Sequence, residues 1–277
     1  MANNETGNRV AIKLQSMQST AREVDVIRSA SHCVHFCRYV DTGTQGTMGF
    51  IVMEFIGPSF TRILSELPKR QFTFSSAIRL SMQCLHAIEE LHSIGFISRD
   101  VKPDNFAVGI PGKLQRLVRM IDFGICSRCH QGNGKASSEK QHTGLIGTSR
   151  YCALTSHRHQ EQSKRDDLES WFYMSVEMVA GCLPWSHLMA PERELIARMK
   201  VLSRTVSRNK FLGKCPEQFD IIIDVIDVWD SKTQPDYDGL FVYLHNIVKE
   251  RRISLDEPYD WEELPQYRNE RMIAGHR

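Results

Sequence analysis

The chain has 277 residues, of which 41% are hydrophobic and 25% are charged, and its formal net charge is +2. This is the composition of a globular protein with one or two packed domains; the near-neutral charge predicts no nucleic-acid partner, and no apolar run approaches the roughly 20 residues of a membrane span. Eight cysteines, without an apolar signal segment at residues 1–9, predict reduced thiols and a cytosolic or nuclear location.

The first part of the chain is rich in strand signals. Residues 9–14 alternate weakly and carry branched side chains, and 36–40 and 49–55 are two further strand candidates. The glycines of D-T-G-T-Q-G at 41–46 predict a hairpin turn between those two strands. An amphipathic helix is expected at 20–29.

The pattern becomes helical after Gly57-Pro58, which predicts a boundary between a small first lobe and a larger second one. Apolar side chains at three- and four-residue steps predict a long helix at 75–93, capped by Ser75. Further helices are expected at 60–67, 168–180, 192–203, 219–229 and 237–249, and short strands at 106–108 and 117–121. Strands followed by helices indicate an α+β, two-lobed fold.

The most informative motif follows the long helix. It reads F-I-S-R-D-V-K-P-D-N at 96–105, and a D-F-G triplet comes after it. These residue types suit the transfer of a phosphoryl group to an alcohol, with Asp100 accepting the hydroxyl proton and Lys102 neutralising phosphate charge. Asn105 and Asp122 supply the oxygen ligands that Mg²⁺ prefers. Two unrelated polar loops are the alternative, and the joint order of the residues argues against it.

With these motifs the chain resembles a eukaryotic protein kinase, from the strand at 9–14 to about Trp261. It is most similar to the casein kinase I group, near the tau-tubulin kinase branch. The motifs behind this closer resemblance are G-P-S-F at 57–60, G-T-S-R-Y at 147–151, A-L-T at 153–155 where most kinases carry Ala-Pro-Glu, D-D-L-E-S at 166–170, L-P-W at 183–185 and P-Y-D-W at 258–261. The resemblance implies one bilobal kinase domain over 1–277, with a partial, mainly β first lobe at 1–56 and a mainly α-helical second lobe at 57–277.

The activity that the resemblance implies is transfer of the γ-phosphate of ATP, bound with Mg²⁺, to protein hydroxyl groups. Lys102, in the R-D-x-K position, resembles the lysine of serine/threonine kinases rather than that of tyrosine kinases. The implied partners are protein substrates with Ser or Thr, acidic or already phosphorylated. A monomer is expected, without nucleic acid or membrane as partner.

The resemblance also assigns a nucleotide pocket. Lys13, in V-A-I-K, would contact the α- and β-phosphates, and Glu23 would pair with it. Met53 resembles the gatekeeper at the back of the adenine pocket, and Glu54 and Ile56 would offer hinge backbone groups to adenine. A solvated lysine on an edge strand and a surface glutamate are the ordinary alternatives.

Two residues of the second lobe have implied roles as well. Arg150 resembles the arginine with which this group receives a phosphate on a primed substrate, and a planar guanidinium suits that task. Asp167 resembles the buried aspartate that anchors the catalytic loop. A solvated arginine and a surface acidic pair are the alternatives.

The chain departs from the kinase pattern in its first lobe. Only twelve residues precede Lys13, and they contain no G-x-G-x-x-G. T-G-N-R at 6–9 resembles the remnant of a turn, and residues 10–14 are expected to form an exposed edge strand. This departure leaves open a second hypothesis, a catalytically weak or inactive kinase-like binding module. In addition, Ser98 stands where the common motif has histidine, which predicts a looser active conformation.

A cysteine motif suggests a third hypothesis. C-S-R-C-H at 126–130 fits the C-x-x-C-H pattern of haem attachment, and its cysteines could contribute to a zinc site. It lies at the start of a segment, 126–147, whose Gly, Ser, Lys and His content predicts a flexible loop. The motif is therefore interpreted as coincidence.

Overall fold

The computed structural model describes residues 2–3, 9–110, 114–129 and 144–267. In these residues a small strand-rich lobe is followed by a larger helical lobe, which confirms the α+β, two-lobed class. The last three residues before Arg9, which belong to the predicted turn remnant, lie outside the described residues.

A four-stranded antiparallel sheet forms the first lobe. Its strands are β1 (Ala2–Asn3), β2 (Arg9–Ser16), β3 (Tyr39–Gln45) and β4 (Met48–Glu54), in the order β1-β2-β4-β3. β2 pairs with β4 from Val10 to Ser16, whereas β1 pairs only with Arg9 and Val10. Within the described residues the expected edge strand is therefore found from Ala11 onward, and the expectation was wrong for Val10.

The prediction of a turn at 41–46 is wrong for most of these residues. Residues 41–45 belong to β3, and the chain reverses at Gly46, whose φ of +60° suits glycine. Gly43 lies within the strand because the Phe50 ring of β4 packs against it, and an added Cβ would come within 2.5 Å of that ring. A glycine that makes room for a neighbouring ring was thus mistaken for a turn residue.

In the described residues of the first lobe the one helix is α1 (Met17–Ser29), which starts three residues earlier than predicted. Ser16 caps it, because its hydroxyl accepts a hydrogen bond from Ser19 N at 3.2 Å. The buried face of α1 includes Glu23, Val24 and Ile27. A buried carboxylate therefore faces the sheet beside apolar side chains.

The second lobe is built around two buried helices, α3 (Phe74–Ser93) and α5 (Lys164–Ala180). Trp171 of α5 donates from its indole N–H to Ser81 O of α3 at 2.9 Å. Thr73, not Ser75, caps α3: its hydroxyl accepts from Ser76 N at 3.3 Å. The other helices are α2 (Phe60–Glu66), α4 (Leu154–His157), α6 (Arg193–Leu202), α7 (Arg208–Leu212), α8 (Glu217–Val228) and α9 (Tyr237–Glu250).

Among the described residues 94–129, which follow α3, four short strands position the polar loops. They are β5 (Phe96–Ile97), β6 (Phe106–Val108), β7 (Val118–Met120) and β8 (Ser127–Arg128). β5 pairs with β8, and β6 pairs with β7. The R-D-V-K-P-D-N segment therefore leaves β5 and enters β6, while D-F-G follows β7. In the described part of the chain no helix is both long and apolar enough to cross a membrane.

Candidate active site

The lysine of the first lobe forms an ion pair with a buried glutamate. Lys13 Nζ lies 2.8 Å from Glu23 Oε2 and 3.0 Å from Oε1. Gln15, two residues along β2, donates to the same Oε2 at 2.7 Å. Alternate residues of a strand share a face, so both side chains of β2 point toward α1. The structure brings together the two residues predicted to pair, and neither is the solvated surface residue of the alternatives.

The same lysine reaches the second lobe. Lys13 Nζ lies 2.8 Å from Asp122 Oδ1, which also accepts from Gly124 N at 3.3 Å. Burial alone would raise the pKa of Asp122, but the hydrogen bond and positive charge of Lys13 outweigh it, so the pKa lies below its usual value. Burial alone would lower the pKa of Lys13, but the carboxylates of Glu23 and Asp122 outweigh it, so the pKa of Lys13 lies above its usual value. Both groups are therefore charged at neutral pH.

Side chains of the catalytic loop, residues 96–105, and of the segment 147–151 converge on Asp100. Lys102 Nζ lies 2.7 Å from Asp100 Oδ2, and Thr148 donates its hydroxyl proton to Asp100 Oδ1 at 2.8 Å. Asn105 donates from Nδ2 to the Asp100 backbone carbonyl at 2.8 Å and to Oδ2 at 3.2 Å. The carboxylate is thus oriented by three side chains before any substrate binds.

Asp167 of α5 binds the backbone of the catalytic loop. It is buried, and it accepts from Ser98 N at 2.6 Å and from Arg99 N at 2.9 Å. His92 Nε2 lies 2.9 Å from the same carboxylate, and its Nδ1 contacts Tyr237 OH at 2.5 Å. Burial lowers the pKa of His92, which favours the neutral ring. The surface-pair alternative for Asp167 is wrong.

Two residues of the site have an unusual backbone conformation. Arg99 has a φ of +64° and Asp122 a φ of +66°, values in the left-handed region that residues other than glycine seldom adopt. Ser98, which replaces the histidine of the common motif, is buried, and its hydroxyl accepts from Asp100 N at 3.3 Å. The smaller side chain therefore forms its own bond to the loop.

Asn105 and Asp122 fit a divalent cation by the chemistry of their donors. Ile121 N donates to Asn105 O at 2.8 Å, which ties the two loops together. The Asn105 amide nitrogen is bound to Asp100, so the amide oxygen is the atom that would bind a cation, and the Asp122 carboxylate is half-exposed. Among the described residues no group of three or more His, Cys, Asp or Glu side chains is arranged to hold a metal. Phosphate oxygens and water would have to complete the coordination shell.

Of the predicted hinge residues, Met53 and Glu54 end β4, and Ile56 follows the strand. Met53 pairs with Ala11 on one side and Tyr39 on the other, and it packs against the core. Glu54 donates its backbone N–H to Arg38 O at 2.9 Å, and its carboxylate binds Arg119 at 2.8 Å. The Glu54 carboxylate is therefore engaged by Arg119. The Glu54 backbone carbonyl and the backbone of Ile56 remain the groups predicted to face the base.

Comparison with known proteins agrees with this arrangement. A family model described as "Protein kinase domain" matches residues 1–258. The chain belongs to the protein kinase domain family. Membership implies ATP and a divalent cation as cofactors and a protein as substrate.

Three relatives of this kinase domain have names that describe serine/threonine-protein kinases, two of them as probable or putative. The serine/threonine-protein kinase spe-6 of Caenorhabditis elegans is 31% identical over 282 residues, which cover 99% of this chain and 74% of the relative. A probable serine/threonine-protein kinase of Dictyostelium discoideum is 31% identical over 268 residues, 94% of this chain and 52% of that protein. A putative serine/threonine-protein kinase of C. elegans is 28% identical over 272 residues, 93% of this chain and 78% of the relative.

Arg150 of this kinase is already engaged with protein groups. Its Nη2 donates to Ser186 O at 2.9 Å, and its Nη1 lies 3.5 Å from Glu177 Oε1. Tyr151 OH also donates to Glu177, at 2.5 Å. The predicted phosphate receptor is therefore partly neutralised by a neighbouring carboxylate, and an incoming phosphate would compete with it.

Sequence reasoning missed two residues of the site. Thr148 lies within the G-T-S-R-Y motif, yet it contacts Asp100 across 48 positions of sequence, a separation at which no periodic pattern carries a signal. Gln15 could have been found, because strand alternation places it on the same face as Lys13. The C-x-x-C-H motif is only partly described: burial raises the pKa of the Cys126 thiol well above its usual value, and His130 lies outside the described residues.

Proposed function

We propose that this chain is a serine/threonine protein kinase that transfers the γ-phosphate of Mg-ATP to protein hydroxyl groups. The observation that carries the proposal is the bridge from Lys13 to Asp122, at 2.8 Å across 109 positions of sequence. It places a small-lobe cation, which would neutralise phosphate charge, next to a carboxylate that would hold Mg²⁺. Phosphoryl transfer depends mainly on positioning and charge stabilisation, and this arrangement offers both.

Each side chain has a definite role in the proposal. Asp100 accepts the substrate hydroxyl and takes its proton late in transfer, oriented by Lys102, Asn105 and Thr148. Lys102 also offsets the charge of the transferred group. Lys13, positioned by Glu23, neutralises the α- and β-phosphates.

Asn105 and Asp122 would hold Mg²⁺, which supplies electrostatic stabilisation of charge on the phosphate oxygens. Their amide and carboxylate oxygens are hard ligands of the kind this cation prefers. Met53, Glu54 and Ile56 would bound the adenine.

The finer family placement is also part of the proposal. We place the chain in the casein kinase I group, near the tau-tubulin kinase branch, as one domain over 1–277 that acts as a monomer in the cytosol or nucleus. In support, Leu154 N of the A-L-T segment donates to Glu169 of α5 at 3.2 Å, so a carboxylate from another helix binds where most kinases carry Ala-Pro-Glu. Acidic or already phosphorylated proteins are the proposed substrates, with Arg150 as the candidate phosphate receptor.

A second candidate function is a kinase-like module that binds partners without catalysis. It is favoured by the edge of β2 opposite β4. Among the described residues, only Arg9 and Val10 pair with another strand along that edge. Ile12 and Leu14 are 50% and 59% exposed. A glycine-rich loop that would cover the phosphates is not found among the described residues of this lobe.

A transfer assay separates these functions. The chain is incubated with radiolabelled ATP, Mg²⁺ and dephosphorylated casein, beside the Asp100→Asn and Asp122→Asn variants. The kinase proposal predicts label in casein that both substitutions reduce at least about a hundredfold. No label, together with no thermal shift on adding Mg-ATP, would favour the binding module instead.

A further inference from the structure

Lys200 of α6 is a buried lysine that the catalytic arrangement does not use. Its relative exposure is 0%. Its Nζ donates to Ser149 O at 2.8 Å and to Cys152 O at 2.6 Å, and it lies 3.2 Å from His157 Nε2. An ammonium has three protons, and these three acceptors match them.

Aromatic rings complete the surroundings of the ammonium. It lies 4.8 Å from the ring centroid of Tyr173 and 5.7 Å from that of Trp185. Such contacts stabilise a desolvated cation. A buried charge is nevertheless costly, and a hydrophobic residue of similar size would avoid that cost. The contacts that a hydrophobic residue could not make here are the bonds to the two backbone carbonyls and to His157.

Those carbonyls belong to the segment that contacts the catalytic loop. Between Gly147 and Ser149 lies Thr148, whose hydroxyl bonds to Asp100 and accepts from Lys102 Nζ at 3.1 Å. Gly147 has a φ of +94°, and an added Cβ would come within 2.4 Å of a catalytic-loop carbonyl. The segment is therefore packed closely against the loop on one side.

On its other side the segment is bound to the helical lobe through three of its backbone carbonyls. Lys200 holds those of Ser149 and Cys152, and the indole N–H of Trp185 donates to Arg150 O at 2.8 Å. Removing the ammonium would release two of these three attachments. Thr148 lies directly beside them in the chain.

We propose that Lys200 is a positioning residue for the protein substrate, because it fixes residues 149–152 and thereby sets Thr148 against Asp100. The inference rests on the proposed kinase function, since it concerns the segment next to the hydroxyl-accepting carboxylate. It goes beyond that function by assigning control of the substrate side of the cleft to a lysine of α6, remote from ATP. The nucleotide side, held by Lys13 and Glu23, does not depend on it.

The charge state of the cluster agrees with this role. Burial lowers the pKa of Lys200 to about 8, although Cys152 and Glu169 oppose the shift and Arg204 adds to it. Burial and the charge of Lys200 lower the pKa of His157 to about 4. At neutral pH the lysine is therefore a cation and His157 a neutral acceptor.

The test compares the wild-type chain with Lys200→Met, which keeps volume but removes every donor. Lys210→Met, at an exposed lysine of α7, is the matched control. Hydrogen–deuterium exchange should be at least about tenfold faster at residues 148–156 in Lys200→Met alone. In the transfer assay its KM for a peptide should rise about tenfold or more, while its KM for ATP stays within about twofold.

The exchange measurement does not need activity, so it decides the matter even if the chain transfers no phosphate. A folded Lys200→Met with unchanged exchange at 148–156, or with equal losses for peptide and ATP, overturns the proposal. If Lys200→Met does not fold, Lys200→Gln, which keeps one donor group, should give intermediate exchange. Failure of both to fold would assign Lys200 to the fold rather than to positioning, and would also overturn the proposal.

Discussion

The hydroxyl of Thr148 and the carboxylate of Asp100 are joined by a 2.8 Å hydrogen bond, although 48 residues separate them in sequence. Thr148 Oγ1 also accepts from Lys102 Nζ at 3.1 Å. One hydroxyl thus couples the segment 147–152 to both reactive groups of the catalytic loop. The geometry of the site is therefore sensitive to the position of this segment.

Thr148→Val should lower kcat/KM for a peptide substrate by about ten- to a hundredfold. Valine has the same shape but cannot bond to Asp100, and small errors of position at the reacting groups are costly in rate. Thr148→Ser, which keeps the hydroxyl, is the matched control and should stay within a few-fold of wild type. Steady-state kinetics with both variants checks this, and equal losses in the two would show that the hydroxyl is not the important feature.

Glu23→Gln should weaken catalysis less than Lys13→Met. The glutamine still accepts a hydrogen bond from Lys13, and Asp122 remains as a charged partner, whereas methionine removes the phosphate-neutralising cation entirely. We expect about a tenfold loss of kcat/KM for ATP in Glu23→Gln and about a hundredfold or greater loss in Lys13→Met. Kinetics at varied ATP concentration gives both values, and the reverse order of losses would contradict the assigned roles.

Asp167→Asn should destabilise the fold and abolish transfer together. The buried carboxylate accepts from Ser98 N, Arg99 N and His92, and an amide group would direct N–H bonds at one or more of these donors. An unsatisfied buried donor costs about 1–3 kcal/mol, and more where a charged group is involved. Urea unfolding measures the loss. Asp256→Asn, at an exposed position, should cost almost nothing, and a similar cost for both would refute this account of Asp167.

Lys200 should make the free energy of unfolding rise with pH in the alkaline range. Its pKa is lowered from 10.5 to about 8 in the folded chain, so between these values the unfolded chain binds a proton that the folded chain has lost. Wild type should therefore gain on the order of 3 kcal/mol relative to Lys200→Met as the pH rises through this window. Urea unfolding of both proteins at pH 7 and pH 10 gives the difference between their free energies of unfolding. The ionisation of buried cysteines, which has the opposite effect on stability, is common to both proteins and cancels in this difference. A constant difference at both pH values would contradict it.

Glu177→Gln should increase the response to already phosphorylated peptides. Glutamine leaves Arg150 with only neutral acceptors, Ser186 O and the new amide oxygen, and a phosphate can then bind without competing against a charge. We expect kcat/KM for a primed peptide to rise about fivefold, with the unprimed peptide unchanged. Arg150→Gln is the matched control and should show no preference between them. The same primed-to-unprimed ratio in all three proteins would remove Arg150 from substrate recognition.

The order of the elements and the catalytic-loop motif were predictable from sequence because local patterns carry them. Amphipathic spacing located the start of α3 to within one residue, and the motif R-D-V-K-P-D-N predicted the catalytic loop. The turn predicted around Gly43 was misplaced because the sequence does not distinguish a turn glycine from a glycine that makes room for a neighbouring side chain, here the Phe50 ring.

Contacts between distant segments were the part that could not be predicted. Lys200 looks like any lysine on an amphipathic helix, and only the tertiary fold shows that it is buried against the carbonyls of Ser149 and Cys152. Similarly, the partial neutralisation of Arg150 by Glu177 depends on how the loop at 150 packs on α5. Motifs identify which residue types are present, whereas packing decides which of them are already engaged.

Phosphoamino-acid analysis of a protein substrate treated with the purified chain, Mg²⁺ and γ-labelled ATP tests the central claim most directly. The account predicts labelled phosphoserine or phosphothreonine, no phosphotyrosine, and a loss of about a hundredfold or more in Asp100→Asn. Labelling that is equal in wild type and Asp100→Asn, or that appears on tyrosine alone, would contradict it.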